Sequence, residues 1–287
     1  MNVVLFPNFN KKNALKCALE ACEILHRLDI QVWVDDIHFD VFSELAYVSY
    51  GQMPELISRC DIVIAIGGDG TILKCAKLVA GTDKPILGIN SGRLGFMASV
   101  ELDELSILSH LVTQDYAVEK RMMLDITHTA EGKKRKYIAL NDIVLASPYA
   151  KLSDFNISVN GKIISQVRAD GLVFSTPTGS TAYSLSAGGP IVEPDMECIE
   201  FTPICPHSLF SRPMLFSAQK TLEITLNYSN SPNVLFTVDG TEGVHFDLKD
   251  TLTVSKSSYH INLIDMKKDT FFDSINRKLM QSIKGVG

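Results

Sequence analysis

Residues 62–71 read IVIAIGGDGT and join a fully apolar run to three glycines, one carboxylate and the start of a helical pattern. A short apolar run bounded by turn residues is typical of a strand that is buried on both faces, as in a parallel sheet. The apolar spacing of Thr71–Val79 predicts a crossover helix directly after the turn. This stretch therefore predicts one strand–turn–helix unit of an α/β domain.

The sequence on either side of this stretch repeats the alternation of strands and helices. Further strands are predicted at Val3–Phe6, Ile30–Val34 and Pro85–Ile89. Helical spacing of apolar residues covers Lys11–Leu28, Pro54–Cys60 and Leu102–Val112. Residues 35–53 have no clear pattern. We therefore expect an amino-terminal α/β domain with a parallel sheet over residues 1–115.

Beyond residue 115 the pattern changes to short strands separated by turn residues, which predicts a carboxyl-terminal β-sandwich domain over residues 116–265. Asn160-Gly161 is the signature of a two-residue hairpin turn. Helical spacing returns only at Phe271–Ile283. Strands are predicted at Leu124–Thr129, Tyr137–Leu140, Ile143–Ala146, Thr221–Asn227, Val234–Val238, Thr251–Ser255 and Ile261–Ile264.

The composition of the 287 residues is that of a globular protein, with 46% hydrophobic residues, a net charge of −6 and a pI near 5.6. This acidic balance argues against a nucleic acid or an anionic membrane as the partner. The basic run Lys133–Lys136 is expected at the tip of a hairpin, beside Glu131 and Gly132. No window is long and apolar enough for a membrane span, and the first residues lack a signal-peptide pattern, so a cytoplasmic protein is expected.

The cysteines do not have the spacing of a metal site or of a CxxC motif. We expect reduced thiols packed in the protein core. The six residues are Cys17, Cys22, Cys60, Cys75, Cys198 and Cys205.

A second stretch, Asp170–Val192, crowds glycines and hydroxyl side chains beside apolar runs. Glycines let the backbone approach a ligand, and hydroxyls offer donors and acceptors without charge. A solvated surface loop is the alternative, but Tyr183, Leu185 and the apolar exit of the stretch disfavour it. We therefore predict that this stretch binds a polar ligand.

Asp69 is predicted to lie at the carboxyl end of a parallel strand, where open α/β sheets bind their ligands. The glycines around it can present N–H groups to a phosphate, and the carboxylate can accept a proton from a hydroxyl. An equally weighted alternative is that Asp69 only caps the helix beginning at Thr71. The chain has neither GxxxxGK[ST] nor GxGxxG, so the usual ATP-binding and dinucleotide-binding loops are not supported.

Four motifs together resemble the bacterial NAD kinase family: GGDGT at Gly67–Thr71, NSGRLGF at Asn90–Phe96, the pair Asn141-Asp142, and STPTGSTAYSLSAGGP at Ser175–Pro190. GGDG alone is shared with diacylglycerol kinases, sphingosine kinases and 6-phosphofructokinases, whereas the last motif is far more specific. The resemblance implies an α/β domain followed by a β-sandwich, with residues 266–287 returning to the first domain.

The resemblance also implies an activity, namely transfer of the γ-phosphate of ATP to the 2′-hydroxyl of the adenosine ribose of NAD, which yields NADP. A divalent cation, expected to be Mg²⁺, and a homodimer or homotetramer are implied as well; inorganic polyphosphate is left open as a second phosphoryl donor. Asp69 is implied as the proton acceptor, and Gly67, Gly68 and Gly70 as the phosphate-binding residues. Metal ligands cannot be assigned from the sequence, because Mg²⁺ keeps water and binds chiefly through substrate phosphates.

By the same resemblance the substrate-binding residues are Asp69, Gly70, Lys74, Phe96, Asn141, Asp142, Lys151, Arg168, Asp170, Thr181, Ala182, Tyr183, Ser184, Leu185, Ser186 and Thr241. Asn141 and Asp142 are implied to hold the adenosine and its ribose, although an Asx turn at the start of a strand is an alternative. Phe96 is implied to pack on adenine, although core packing also accounts for it.

Three positions leave the role of the side chain open. Arg168 can bind a phosphate or pair with Asp170. Thr241 stands where many relatives have Gln, and Lys151 stands where some have His. These two departures can alter selectivity or feedback by NADP without touching the proposed base.

Two other functions compete with an NAD kinase. A kinase for a lipid or sugar hydroxyl would share GGDG, but a lipid kinase needs an apolar entrance or a basic membrane face, which this acidic chain does not indicate. A non-catalytic NAD(P)-binding sensor would share the pocket, but it has no need of a base such as Asp69.

Overall fold

The structure is a computed structural model that describes residues 1–92, 95–147, 151–208, 210–229, 233–268 and 271–276. The chain divides into two compact units. Unit 1 comprises residues 1–120 together with the described residues from Ile261 onward, and unit 2 comprises Arg121–His260.

Unit 1 has alternating strands and helices. Its strands are β1 (Asn2–Pro7), β2 (Gln31–Asp35), β3 (Val48–Gly51), β4 (Ile62–Gly67), β5 (Ile86–Asn90) and β6 (Val100–Glu101). Its helices are α1 (Ala14–Arg27), α2 (Phe39–Phe42), α3 (Met53–Arg59), α4 (Asp69–Val79) and α5 (His110–Thr113), with 3₁₀ helices at Asp36–His38 and Leu102–Ser109.

The strands of unit 1 form a parallel sheet in the order β3-β2-β1-β4-β5, with β6 also paired to β5. Every residue of β4 is buried, as the apolar run predicted. The buried face of α1 packs into the same core through Cys17, Ala21 and Leu25. The order of the strands reverses between β1 and β4, and open α/β sheets bind ligands at such a point.

Unit 2, which begins within β7, consists almost entirely of strands. They are β7 (Ala117–Ala130), β8 (Lys133–Ala139), β9 (Asp142–Ala146), β10 (Ser153–Val159), β11 (Lys162–Ala169), β12 (Gly171–Ser175), β13 (Cys198–Ile204), β14 (Met214–Ser217), β15 (Leu222–Ser229), β16 (Leu235–Val238), β17 (Val244–His245) and β18 (Thr251–Asp265). A 3₁₀ helix at Thr178–Thr181 and the one-turn helix α6 (Tyr183–Ser186) follow β12.

Two sheets make up unit 2. One runs β11-β10-β15-β18, with β7 paired to β18 and β8 paired to β7; the other runs β14-β13-β12-β9-β16-β17. Their apolar side chains share one core, for example Phe155 and Leu222 of the first sheet with Phe174 and Phe236 of the second. The α/β plus β-sandwich class predicted from the sequence is therefore confirmed.

Several local predictions hold and others are wrong. Asn160 and Gly161 form the turn between β10 and β11, with φ of 52° and 72°, as a two-residue hairpin turn requires. The basic run Lys133–Lys136 is not the tip of its hairpin but opens β8, and Glu131-Gly132 forms the turn. The helix expected at Leu102–Val112 is present, as a 3₁₀ helix at Leu102–Ser109 followed by α5.

The carboxyl-terminal predictions differ from the structure in one respect. The two strands expected at Thr251–Ser255 and Ile261–Ile264 are one continuous strand, β18. It begins in unit 2 beside β15 and ends in unit 1 beside β5. Of the helix expected at Phe271–Ile283, residues 271–276 are helical and the remainder lies outside the described residues.

The cysteines are free thiols, of which five are buried and Cys205 is exposed. None of the helices in the described part of the chain is both long and apolar enough to cross a membrane.

Candidate active site

The GGDGT motif of unit 1, which we call the acidic turn (Gly67–Thr71), joins the end of β4 to the start of α4. Gly67 has to be glycine, because an ideal Cβ there would lie 2.1 Å from the hydroxyl oxygen of Thr71. An ideal Cβ on Gly68 or Gly70 would have no neighbour within 4 Å among the described atoms, so the backbone at both positions borders open space. The first N–H groups of a helix are unpaired within the helix and attract anions.

The carboxylate of Asp69 binds a loop rather than its own helix. It accepts hydrogen bonds from the backbone N–H groups of Phe96 (2.7 Å) and Met97 (3.0 Å). An ideal Cβ on Gly95 would lie 2.2 Å from the nearer carboxylate oxygen, so only glycine lets the loop approach this closely. Gly68 occupies the cap position of α4 and Asp69 is the first helical residue, so the interpretation of Asp69 as a cap of a helix starting at Thr71 is wrong.

The acidic turn lies at the strand-order reversal of the unit 1 sheet. Asn8, which follows β1, donates its backbone N–H to the carbonyl of Ile66 at 2.9 Å and its side-chain amide to the hydroxyl of Thr71 at 3.3 Å. Lys74 is exposed on α4, one turn after Gly70. Unit 1 therefore gathers backbone N–H groups, a fixed carboxylate and a cation at the carboxyl ends of β1 and β4.

In unit 2 the pair Asn141-Asp142 opens β9, and its two residues are only 8% and 5% exposed. Within the described residues, the side-chain oxygen of Asn141 is buried and has no hydrogen-bond partner. A buried acceptor without a donor costs free energy, so a ligand donor at this position is favoured.

Part of the hydroxyl-rich stretch (Asp170–Val192), namely Thr176–Gly179, holds the backbone of this pair. Thr176 donates its backbone N–H to the carbonyl of Asn141 (2.8 Å) and its hydroxyl to the carbonyl of Leu140 (2.6 Å). Its hydroxyl also accepts the N–H of Gly179 at 3.0 Å. An ideal Cβ on Gly179 would lie 2.2 Å from the carbonyl oxygen of Asn141, so this glycine is needed for close packing.

A second carboxylate, that of Asp239, lies beside the pair and accepts the N–H groups of Leu140, Asn141 and Asp142. Burial, and then the charge of Asp239, raise the pKa of Asp142 to about 7. Asp239 was not predicted as a site residue from the sequence, although Thr241 in the same turn was. The Thr241 hydroxyl closes that turn by donating to the carbonyl of Val238 at 2.9 Å.

The hydroxyl-rich stretch continues through Thr181 and Ala182 into α6, and its side chains here differ in exposure. Tyr183 and Ser186 are exposed, while Thr181, Ala182 and Leu185 are partly buried. Ser184 is fully buried, and its hydroxyl donates to Glu200 at 2.7 Å. Glu200 was also missed, although an acid in the apolar sequence CIEFTPI of β13 could have drawn attention to it.

Comparison with known proteins identifies the family. Residues 3–116 match the model of the ATP-NAD kinase N-terminal domain, and residues 140–266 match that of the ATP-NAD kinase C-terminal domain. The NAD kinase of Thermoanaerobacter sp. (strain X514) is 38% identical over 283 residues, which cover 97% of this chain and 99% of that protein. The chain belongs to the NAD kinase family.

Solved structures of NAD kinases have the same fold. Yeast NADH kinase complexed with NADH superposes with a TM-score of 0.88 at 26% identity, covering 97% of this chain and 87% of that one. The NAD kinase from Archaeoglobus fulgidus in complex with ATP superposes with a TM-score of 0.73 at 25% identity, covering 97% of this chain and 98% of that one.

The remaining residues that the NAD kinase resemblance singled out lie elsewhere in unit 2. Arg168 does not pair with Asp170; its guanidinium instead forms two hydrogen bonds with Asp154 across the β10–β11 hairpin, at 2.6 and 2.7 Å. This ion pair lowers the pKa of Asp154. Asp170 joins β11 to β12 and donates its N–H to the carbonyl of Ile204 at 3.1 Å. Lys151 is exposed just before β10.

A kinase that uses ATP needs a divalent cation, which either the protein or the phosphates can hold. Within the described residues, no group of three or more His, Cys, Asp or Glu side chains is placed to hold a metal ion. Asp69 is the one carboxylate of the acidic turn. With this single carboxylate, the acidic turn fits a cation that is bound mainly by the phosphates of the substrate and has one protein carboxylate beside it.

Proposed function

We propose that this chain transfers the γ-phosphate of ATP to the 2′-hydroxyl of the adenosine ribose of NAD and so makes NADP, with Asp69 as the proton acceptor. The main support for the proposal is the fixed position of the Asp69 carboxylate. Its carboxylate is held by two loop N–H groups at the carboxyl end of β4, beside glycines that border open space. Membership of the NAD kinase family supports the same substrates.

In the proposed reaction the 2′-oxygen forms a bond to the γ-phosphorus as the bond from that phosphorus to the bridging oxygen of ADP breaks. The hydroxyl proton passes to Asp69, and ADP leaves with the bonding electron pair. A positioned general base contributes on the order of 10²–10⁴ in rate. Alignment of the reactants and neutralisation of the phosphoryl charge supply the larger part.

The acidic turn is proposed to bind the phosphates. The N–H groups at Gly67, Gly68 and Gly70 and the amino-terminal dipole of α4 attract the anion, and the ammonium of Lys74 adds a positive charge. A divalent cation, which we take to be Mg²⁺, would neutralise phosphate charge when bound, with Asp69 as the nearest carboxylate of the turn. The two loop amides keep the carboxylate of Asp69 in one orientation and leave it further lone pairs for the ribose hydroxyl.

The residues of unit 2 are proposed to bind NAD. The partnerless side-chain oxygen of Asn141 suits the exocyclic amine of adenine, and Asp142 suits a ribose hydroxyl. Phe96 of unit 1 is proposed to pack on the adenine ring. The side chains proposed to line the rest of the binding surface are Lys151, Arg168, Asp170, Thr181, Ala182, Tyr183, Leu185, Ser186 and Thr241.

Ser184 is proposed to support this surface from inside, because its hydroxyl already bonds Glu200 and Thr202. A homodimer or homotetramer, and inorganic polyphosphate as an alternative donor, are proposed on the family resemblance alone.

The proposal is tested by NADP formation from NAD, ATP and Mg²⁺, with the wild type and Asp69→Asn assayed in parallel. We expect kcat to fall by about 10²–10⁴ in the variant, while calorimetry still detects NAD binding. Asp103→Asn, which removes an exposed acid of the same unit, should retain wild-type turnover. Undiminished turnover by Asp69→Asn would mean that another group is the base. A wild type that binds NAD but makes no NADP would be a sensor, and one that does neither would point to a lipid or sugar kinase.

A further inference from the structure

Asp239 is the first residue after β16 and adopts a positive φ of 50°. One oxygen of its carboxylate accepts the N–H groups of Asn141 (2.8 Å) and Asp142 (3.2 Å), and the other accepts the N–H of Leu140 (3.1 Å). Its own N–H donates to the carbonyl of Asp142 at 2.9 Å. One side chain thus satisfies three consecutive backbone donors where β9 begins.

The hydrogen bonds from Asp239 complement those that Thr176 makes to the same stretch of backbone. Thr176 binds the carbonyls of Leu140 and Asn141, whereas Asp239 binds the N–H groups. The backbone of the pair is therefore clamped at its donors and its acceptors, while the side-chain oxygen of Asn141 stays without a partner among the described residues. Because the backbone groups of the pair are already hydrogen-bonded within the protein, its two side chains are available to bind a ligand.

We propose that Asp239 is a positioning residue for substrate binding: its carboxylate holds the amides of residues 140–142 and thereby sets the directions in which the Asn141 and Asp142 side chains meet NAD. This rests on the proposed function, in which that pair binds NAD. Asp239 acts through the pair, and no contact of its own with the substrate is needed.

Asp239 also affects the charge of Asp142. The charge that acts on the Asp142 carboxyl is that of Asp239, from the end of β16. Glu200 of β13 pairs with Ser175 and so lies one strand further away in the sheet. Ser175 stands opposite Asp142 in the sheet and donates its hydroxyl to Glu200 at 2.9 Å. Burial and Asp239 together raise the pKa of Asp142 to about 7, so Asp142 keeps a proton over part of the neutral range and can donate it to a ligand oxygen.

The test compares Asp239→Asn and Asp239→Ala with the wild type. Asp239→Asn suits the positive φ and keeps one side-chain oxygen for the N–H groups of Asn141 and Asp142, but it turns an amide donor toward Leu140. Asp239→Ala removes every acceptor. Glu242→Gln is the matched control, because it removes one exposed negative charge three residues further along the same loop.

We expect Asp239→Ala to raise the KM for NAD by at least about tenfold, the factor for a loss of one to two net hydrogen bonds. The kcat at saturating NAD should stay within about threefold, because the base and the phosphate-binding turn are untouched. Asp239→Asn should recover part of the loss. In that variant the inflection in the pH dependence of the KM should also move to lower pH, because a negative charge beside Asp142 is gone.

Amide hydrogen exchange of the free protein separates this inference from the proposed function. Faster exchange at residues 140–142 in Asp239→Ala, with less acceleration in Asp239→Asn, is expected whether or not NADP is formed. The proposal is overturned if the KM for NAD, measured beside Glu242→Gln, is unchanged in both variants, or if kcat falls while the KM does not. Unchanged exchange at residues 140–142 would also overturn it. A wild type without kinase activity would refute the proposed function, and NAD affinity by calorimetry would then replace the KM.

Discussion

Glu200 and Ser184 form a fully buried hydrogen bond of 2.7 Å beneath the hydroxyl-rich stretch of unit 2. The same carboxylate accepts the hydroxyls of Ser175 (2.9 Å) and Thr202 (3.0 Å). An ideal Cβ on Gly189 would lie 2.2 Å from it, so the chain that leaves α6 is also packed against this acid. A buried acid surrounded by hydroxyls ties α6 to β12 and β13.

Replacing Glu200 should therefore destabilise unit 2. Glu200→Ala leaves three hydroxyls without their acceptor and creates a cavity, so we expect a loss of about 3 kcal/mol in the free energy of unfolding. Glu200→Gln, which keeps the volume and one acceptor, should lose about 1 kcal/mol. Urea denaturation measures both changes. Glu223→Ala, at an exposed position of β15, should change stability by less than about 0.5 kcal/mol; an equal loss there would show that the Glu200 contacts are not the cause.

Gly95→Ala should reduce turnover, because the added methyl group would occupy the place of the Asp69 carboxylate. The carboxylate would have to rotate away from the N–H groups of Phe96 and Met97, and a displaced base loses alignment with the hydroxyl. We expect kcat to fall by at least about tenfold in a coupled assay of NADP formation. Gly92→Ala lies in the same loop, its ideal Cβ has no neighbour within 4 Å among the described atoms, and the variant should keep at least half of the activity. Equal activities of the two variants would contradict a fixed orientation of Asp69.

Asp142 should make stability depend on pH. An aspartate in the unfolded chain titrates near pH ~3.9, and its pKa in the folded protein is raised to about 7. Because the folded state holds the proton more tightly, the contribution of Asp142 to stability is greatest below the unfolded pKa. It is lost as the pH rises through the folded pKa.

Asp142→Asn removes this titration. The free energy of unfolding of the wild type minus that of the variant should fall by up to about 4 kcal/mol between pH ~4 and ~7. Urea denaturation at half-unit pH steps measures the difference. A difference that stays flat over this range, or that rises with pH, would rule out a raised pKa for Asp142.

The turn at Asn160-Gly161 gives a prediction about the β10–β11 hairpin alone. Gly161 has a φ of 72°, and a Cβ disfavours that conformation even though the surrounding space is open. Gly161→Ala should lower the free energy of unfolding by about 1 kcal/mol. Thermal unfolding followed by circular dichroism measures the change, and an unchanged melting temperature would contradict it. Asn160→Gly, at a φ of 52°, should cost less because glycine adopts positive φ freely.

The parts of the fold that were predicted correctly depend on short-range patterns. A few neighbouring residues are enough to indicate each of them, as for the apolar run of β4, the helical spacing of α1 and the Asn160-Gly161 turn. The middle of β18 was missed because Ser255–Ser258 resembles a turn in composition, whereas its pairing partners are far away in the chain.

The same distinction separates the site residues that were predicted from those that were missed. Asp69 belongs to a contiguous motif, so its place at the end of β4 could be predicted. The partners of Asp239 are 97 to 99 residues away, and the partner of Arg168, namely Asp154, is set by hairpin register rather than by proximity to Asp170. Neither relationship leaves a local pattern in the sequence.

The separation between Asp239 and Asn141 has a consequence for how the chain acquires its ligand affinity. Bringing these residues together closes a loop of 98 residues. Such contacts form late, because the chain loses the conformational entropy of closing the loop before it gains the stabilising free energy of the contact. Until β16 pairs with β9, the amides of residues 140–142 have no carboxylate to hold them. We therefore expect that a refolding chain gains its local secondary structure before it can bind NAD, and that NAD stabilises only molecules in which β16 has paired with β9.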